Sequence, residues 1–376
     1  MKVVIAIDSF KGSMTSMEAG AAAKEGVFRA CEAEVSVKPL ADGGEGTTEA
    51  LVEGLGGTYV RIEVTGPLGE PVTARYGMLG DGKTAVREMA EVAGIILVNR
   101  KDLNPWKATT TGIGEMILDA AGRGCREFII GIGGSATTEG GIGMLQALGY
   151  VFYDRKGKML PPLFESLEKI EKISAEHVPK VLQECRFRIA CDVTNPLCGE
   201  NGAVYVYGPQ KGVERQDMQK MDDAMQHYAR KTAEFIGKDN SPAPGAGASG
   251  GLGFAFLSYL PNVELKSGIA LIMDAVGLEK EMKDADLVIT GEGRLDFQTA
   301  MGKVPVGVAR LAKKYNCRVV AFAGSVTDDA VICNEEGIDA FFPIVRGVST
   351  LDEAMDTETA KRNMTLSVEQ VFRLLS

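Results

Sequence analysis

The chain alternates strand and helix at both of its ends and breaks that rhythm in the middle. Val3–Ile7 is an uninterrupted apolar run, as expected of a strand buried on both faces of a parallel sheet. A helix is predicted over 16–31, with Thr15 and Glu18 at capping-box spacing. Residues 34–40 alternate as a strand, and 47–55 read as a second helix. The C-terminal part resumes the same order, with strands over 287–290, 318–323 and 340–343 and helices over 303–315, 328–336 and 357–375. The two ends together supply about five parallel strands, the size of a flavodoxin-like sheet.

The middle does not fit that sheet. Extended runs over 58–65, 72–79 and 83–89 are joined by turn residues, and Asp81-Gly82 is a hairpin signal. Strands over 127–132 and 187–191 and helices over 108–123, 139–148, 213–236 and 252–260 follow. The expected fold is therefore α/β. A discontinuous flavodoxin/Rossmann-like parallel-sheet domain spans 1–60 plus 262–376, with a second, inserted α/β domain over 61–261. A chain of 376 residues with 45 % hydrophobic content is long enough for two cores.

Charge and cysteine usage exclude some classes. A net charge of −10 lacks the basic footprint that nucleic acid requires. Seven cysteines without a Cys-x-x-Cys pair fit reduced thiols in the cytoplasm. His177 and His227 are the only histidines, which argues against a His-based triad or a His-rich zinc site. The run 3–7 is too short for a signal-peptide core of about 7–15 residues. No segment approaches the ~20 apolar residues of a membrane span. The expectation is a cytoplasmic monomer or homodimer with no nucleic-acid or membrane partner.

Chemistry-bearing residues collect where predicted strands end, the ligand edge of an open α/β sheet. After the first strand stands Asp8-Ser9-Phe10-Lys11-Gly12-Ser13. Lys11 offers a cation for a phosphate or carboxylate, or is a solvated loop lysine. After the second strand, Asp42 and Glu45 flank paired glycines and suit Mg²⁺ or substrate hydroxyls, or form a polar turn that caps a helix. Gly133-Gly134-Ser135 presents backbone N–H groups to an anion, or packs a helix closely on a strand. Its surroundings lack the Gly-x-x-x-x-Gly-Lys-Ser/Thr of a P-loop.

Asp192 and Asn195 follow another strand, suited to orienting an alcohol or a metal, or to an Asx turn before Pro196. Ser249-Gly250-Gly251, within Gly245–Gly253, reads as a second phosphate nest or as a flexible connection between domains. Glu292, Arg294, Asp296 and Lys303 crowd the turn after the strand at 287–290. There an arginine can neutralise phosphoryl oxygens and an aspartate can accept a hydroxyl proton, unless the turn is a salt-bridged surface feature. Cations and carboxylates collected in this way suit a phosphorylated substrate with Mg²⁺.

The blocks IAIDSFKGS, PLADGGEGT, GIGGSAT, CDVTNPLCG, ASGGLG and VITGEGRLDFQTAMGK, in this order over nearly the whole chain, resemble the type-1 glycerate kinase family. One departure stands out. The family carries Asn-Asp-Gly-Gly after GGSAT, where this chain has Thr138-Glu139-Gly140-Gly141 and hence a longer acidic arm. The resemblance implies ATP-dependent phosphorylation of D-glycerate, to 2-phosphoglycerate by analogy with bacterial members, at a cleft between two domains.

On that reading Lys11 and Arg294 neutralise the substrate carboxylate and the γ-phosphate. Asp42, Glu45 and Glu292 are candidates for Mg²⁺ or hydroxyl binding, and Asp192 and Asp296 compete as the base. Asp8, Ser9, Asn195, Ser249 and Lys303 add substrate contacts, and Gly133–Ser135 and Gly250–Gly253 are the candidate phosphate nests. The alternatives are formation of 3-phosphoglycerate, a different small hydroxy acid, or a ligand-binding regulator without catalysis. A hydride-transfer enzyme would need a Gly-x-Gly-x-x-Gly after the first strand, which is missing.

Overall fold

In chain order the strands are β1 (Lys2–Ile7), β2 (Glu34–Pro39), β3 (Thr58–Thr65), β4 (Pro71–Met78), β5 (Thr84–Glu88), β6 (Glu127–Gly131), β7 (Val151–Tyr153), β8 (Lys172–Ser174), β9 (Arg186–Ala190), β10 (Val263–Lys266), β11 (Leu287–Leu295), β12 (Arg318–Val326) and β13 (Ala340–Pro343). The computed structural model describes residues 1–44 and 46–375. The chain divides into two compact units, Met1–Gly56 with Ile269–Ser376, and Gly57–Gly268.

The first unit is built on a five-stranded sheet ordered β13-β12-β11-β1-β2, parallel throughout. Taken as the strands of this unit alone, the order is 2-1-3-4-5, the flavodoxin arrangement. β1 lies near the centre because Val3, Val4, Ile5 and Ala6 expose nothing, a pattern only an interior strand satisfies. Its register against β11 pairs Val3 with Leu287 and Ile5 with Ile289.

The helix Ser16–Ala30 starts with the capping box of Thr15 and Glu18. It packs on the helix Thr357–Leu375, close enough that a Cβ on Gly26 would lie 2.5 Å from the Thr365 carbonyl oxygen. Ser16 joins the ends of two strands, its hydroxyl donating to Ile7 O at 2.6 Å and accepting from Leu40 N at 2.9 Å.

One strand runs further than the sequence suggests. β11 continues past Thr290 through Gly291–Leu295, so Glu292 and Arg294, expected in a turn, lie on a strand paired to β12, while Asp296 and Lys303 follow it. Gly291 permits this, because a Cβ there would sit 2.0 Å from Phe322 O. Its missing side chain also hides the strand from pattern reading.

The second unit holds a six-stranded sheet ordered β10-β9-β6-β5-β4-β3. β3, β4 and β5 form an antiparallel meander, and β5, β6, β9 and β10 are parallel. Asp81 fixes the hairpin between β4 and β5, accepting from Lys83 N at 2.8 Å and Thr84 N at 2.9 Å. β10 is short and carries Glu264 and Lys266, and it extends this unit past Asn262. No helix among the described residues is long and apolar enough to cross a membrane.

Candidate active site

A pocket of about 480 Å³ opens at the carboxyl ends of the first unit's strands. Asp8, Ser9, Lys11, Ser13, Asp42, Glu292, Arg294 and Lys303 line it, and Ile344, Val345, Leu351, Ala354 and Met355 form an apolar wall. Asp8 follows β1 and Glu292 lies on β11, so they flank the point where strand order reverses. Ligands bind there in open α/β sheets.

The carboxylates are held by local geometry. The Asp8 N–H donates to Gly291 O at 3.0 Å, continuing the β1–β11 ladder, and Asp8 Oδ1 accepts Ser9 N at 2.6 Å. Burial pushes the Asp8 carboxyl up to about 7, with further lift from the negative charges of Asp42 and Glu292. The Glu292 carboxyl is also raised, again chiefly by burial. Its Oε1 accepts the Thr299 hydroxyl at 2.5 Å. Asp42 Oδ1 accepts Gly44 N at 2.9 Å, and its other oxygen lies 3.7 Å from Lys11 Nζ. Lys11 and Arg294 are largely exposed, as suits cations that await an anionic ligand. Ser13 Oγ is buried and has no hydrogen-bond partner among the described residues.

In the second unit, the segment after β6 forms a glycine-rich turn. The backbone N–H groups of Gly133, Gly134 and Ser135 have no hydrogen-bond partner among the described residues. Gly134 adopts φ 74°. Ser249, at φ 53° and ψ 42°, begins three successive left-handed residues with Gly250 and Gly251. Its hydroxyl donates to Ile132 O, and Gly250 O accepts Gly140 N at 2.9 Å. A Cβ on Gly250 would stand 2.2 Å from Thr137 O, so only glycine fits the contact. The two glycine segments therefore dock on each other inside the second unit.

A sequence model of the Glycerate kinase family matches residues 3–376. The chain belongs to the glycerate kinase family. It is 46 % identical to the glycerate 2-kinase of Escherichia coli K12 over 356 residues, covering 94 % of this chain and 93 % of that one. It is 43 % identical to a glycerate kinase of Haemophilus influenzae over 377 residues, covering 100 % of this chain and 99 % of the relative. A crystal structure of a Salmonella typhimurium LT2 protein assigned as glycerate kinase 2 superposes with TM-score 0.91 at 42 % identity, covering 100 % of this chain and 98 % of that one.

The family's sequence blocks fall into two groups in the structure. Asp8, Ser9, Lys11, Asp42, Glu292, Arg294 and Lys303 share the pocket of the first unit. Asp296 is not among that pocket's described lining residues. It caps the helix Phe297–Ala300 through Gln298 N at 2.9 Å and lies 3.5 Å from Arg294. Glu45 lies outside the described residues. Gly133, Gly134, Ser135, Ser249, Gly250 and Gly251 meet in the second unit, where the close packing of Gly250 rules out a loose connection.

Asp192 is exposed and accepts Gly268 N at 3.0 Å. The Asn195 amide holds its own loop, donating to Asn201 O at 2.8 Å and accepting from Tyr207 at 2.6 Å. Glu139, the family departure, is buried and bound by Thr110 N at 2.7 Å, the Thr110 hydroxyl at 2.5 Å and Gly141 N at 2.6 Å. Its longer arm thus organises backbone and meets no open space. Ser13 and Thr299 were not singled out by sequence reasoning, although both lie within its motifs.

Proposed function

We propose that this chain transfers the γ-phosphoryl group of ATP to D-glycerate and forms 2-phosphoglycerate. The observation that carries the reading is the pocket at the strand-order reversal, where carboxylates and exposed cations converge in a member of this family. Both substrates are anionic, and catalysis of phosphoryl transfer is mainly positioning and charge neutralisation.

Lys11, Arg294 and Lys303 neutralise phosphate and carboxylate oxygens. The hydroxyl oxygen of glycerate bonds to the γ-phosphorus as the bond to the β-phosphate oxygen breaks. Asp8 takes the hydroxyl proton, a role favoured by a carboxyl near neutrality. Asp296 supports Arg294 and caps the helix that carries Thr299. The free amides of Gly133, Gly134 and Ser135 form a second anion site.

Asp42 and Glu292 would hold Mg²⁺, which would supply charge neutralisation on the phosphates. Among the described residues no group of three His, Cys, Asp or Glu has metal-binding geometry. Mg²⁺ binds through one or two carboxylates plus substrate phosphates, a demand Asp42 and Glu292 would meet with ATP in place. Seven unpaired cysteines support a reducing, cytoplasmic setting.

The test is ³¹P NMR of the purified protein with D-glycerate, ATP and Mg²⁺. A new phosphomonoester signal matching authentic 2-phosphoglycerate is expected. A 3-phosphoglycerate signal would overturn the position, and unchanged ATP with folded protein would overturn the activity.

A further inference from the structure

Lys211 is buried in the second unit at 2 % exposure and belongs to none of the motifs above. Its Nζ lies 2.7 Å from Ser135 Oγ and 2.5 Å from Thr137 O, so it grips the glycine-rich turn from beneath. A buried ammonium is costly unless it is hydrogen-bonded and paired. The burial lowers this one to about 7, while the charge of Glu139 nearby favours its protonated form. The protonated form, which Glu139 favours, only donates. In that form Ser135 Oγ accepts from it, which directs the serine's own hydrogen elsewhere. Just ahead of Ser135, Gly133 and Gly134 are exposed and their amides are free.

We propose that Lys211 is a positioning residue that fixes the turn and orients the Ser135 hydroxyl as a donor to an anionic oxygen held at Gly133–Gly134. The proposal rests on the reading of this turn as an anion site. The shared ligand chemistry is a phosphate of ATP or the carboxylate of glycerate, and the two KM values tell them apart.

The experiment measures kcat and both KM values for Lys211→Met, Ser135→Ala, their double variant and Gly133→Asp, with folding checked by circular dichroism and a cooperative melt. A Cβ at Gly133 meets nothing within 4 Å, so an aspartate there starts into open space and brings charge to the turn. Lys211→Met is expected to raise one KM at least ten-fold, with a smaller change in kcat. Ser135→Ala should raise the same KM, and the double variant should be no worse than the poorer single one.

Unchanged KM values in Lys211→Met, or effects that multiply in the double variant, overturn the positioning role. Should Lys211→Met not fold, unchanged KM values in Ser135→Ala overturn it. If Gly133→Asp alone raises a KM, the anion site stands and the role of Lys211 falls. If Gly133→Asp changes neither KM, the anion site itself is wrong.

Discussion

The hydroxyl of Thr299 donates to Glu292 Oε1 at 2.5 Å and accepts the backbone N–H of Asp296 at 3.2 Å. One fully buried side chain thus couples a pocket carboxylate to the cap of the next helix. Thr299→Val keeps the shape and removes the hydroxyl. It leaves a buried carboxyl oxygen unpartnered, so a loss of about 1–3 kcal/mol in stability is expected. Urea unfolding checks the stability. Steady-state kinetics should show kcat/KM reduced as Glu292 loses its orientation.

Lys11 and Arg294 separate function from folding. Both side chains are largely exposed, so truncation to alanine should change stability by no more than about 0.5 kcal/mol. Removal of a cation from the transferring phosphate should lower kcat/KM roughly 100-fold or more, about 2.7 kcal/mol. Denaturation and kinetics on the same samples read both effects.

Asp8 gives a signed pH dependence. Its carboxyl rises from 3.8 to about 7 on folding, so between these values the native state binds more protons than the unfolded chain. Its contribution to stability is fully present below pH 3.8 and is lost as pH rises through about 7. Urea midpoints measured from pH 4 to 8 should fall more in the parent protein than in Asp8→Asn. Equal slopes would contradict the raised value.

Gly250→Ala joins two penalties, a left-handed φ of 68° and a Cβ placed 2.2 Å from Thr137 O. The variant should lose about 3 kcal/mol or more, visible as a lower melting temperature. Gly237→Ala is the control, since its φ is also positive but a Cβ there meets open space. Its loss should stay near 1 kcal/mol.

What the sequence revealed depended on how each element is buried. β1 lies inside a covered sheet and reads as a continuous apolar run, so its place was legible. β10 is only half-buried and carries charge, and the second half of β11 is glycine-rich, so neither produced a pattern. Lys11, Asp42 and Glu292 were legible because strand ends and glycines frame them. Lys211 was not, because its partners lie more than 70 positions away and no spacing rule connects them. Asp296 was readable as an acidic residue near the site, but its work as a helix cap appears only in three dimensions.

The pairing of β1 with β11 also sets an order of events during synthesis. Lys2 N meets the Asp286 carboxylate across 284 positions of chain. At roughly 5–20 residues per second, β1 emerges from the ribosome about 15–60 s before its central neighbour exists. Until then Val3–Ile7 is an apolar strand with one flank unclaimed, whereas the residues of the second unit are already complete. The inserted unit can therefore finish folding first, and Val3–Ile7 is a stretch that needs protection from aggregation until β11 arrives.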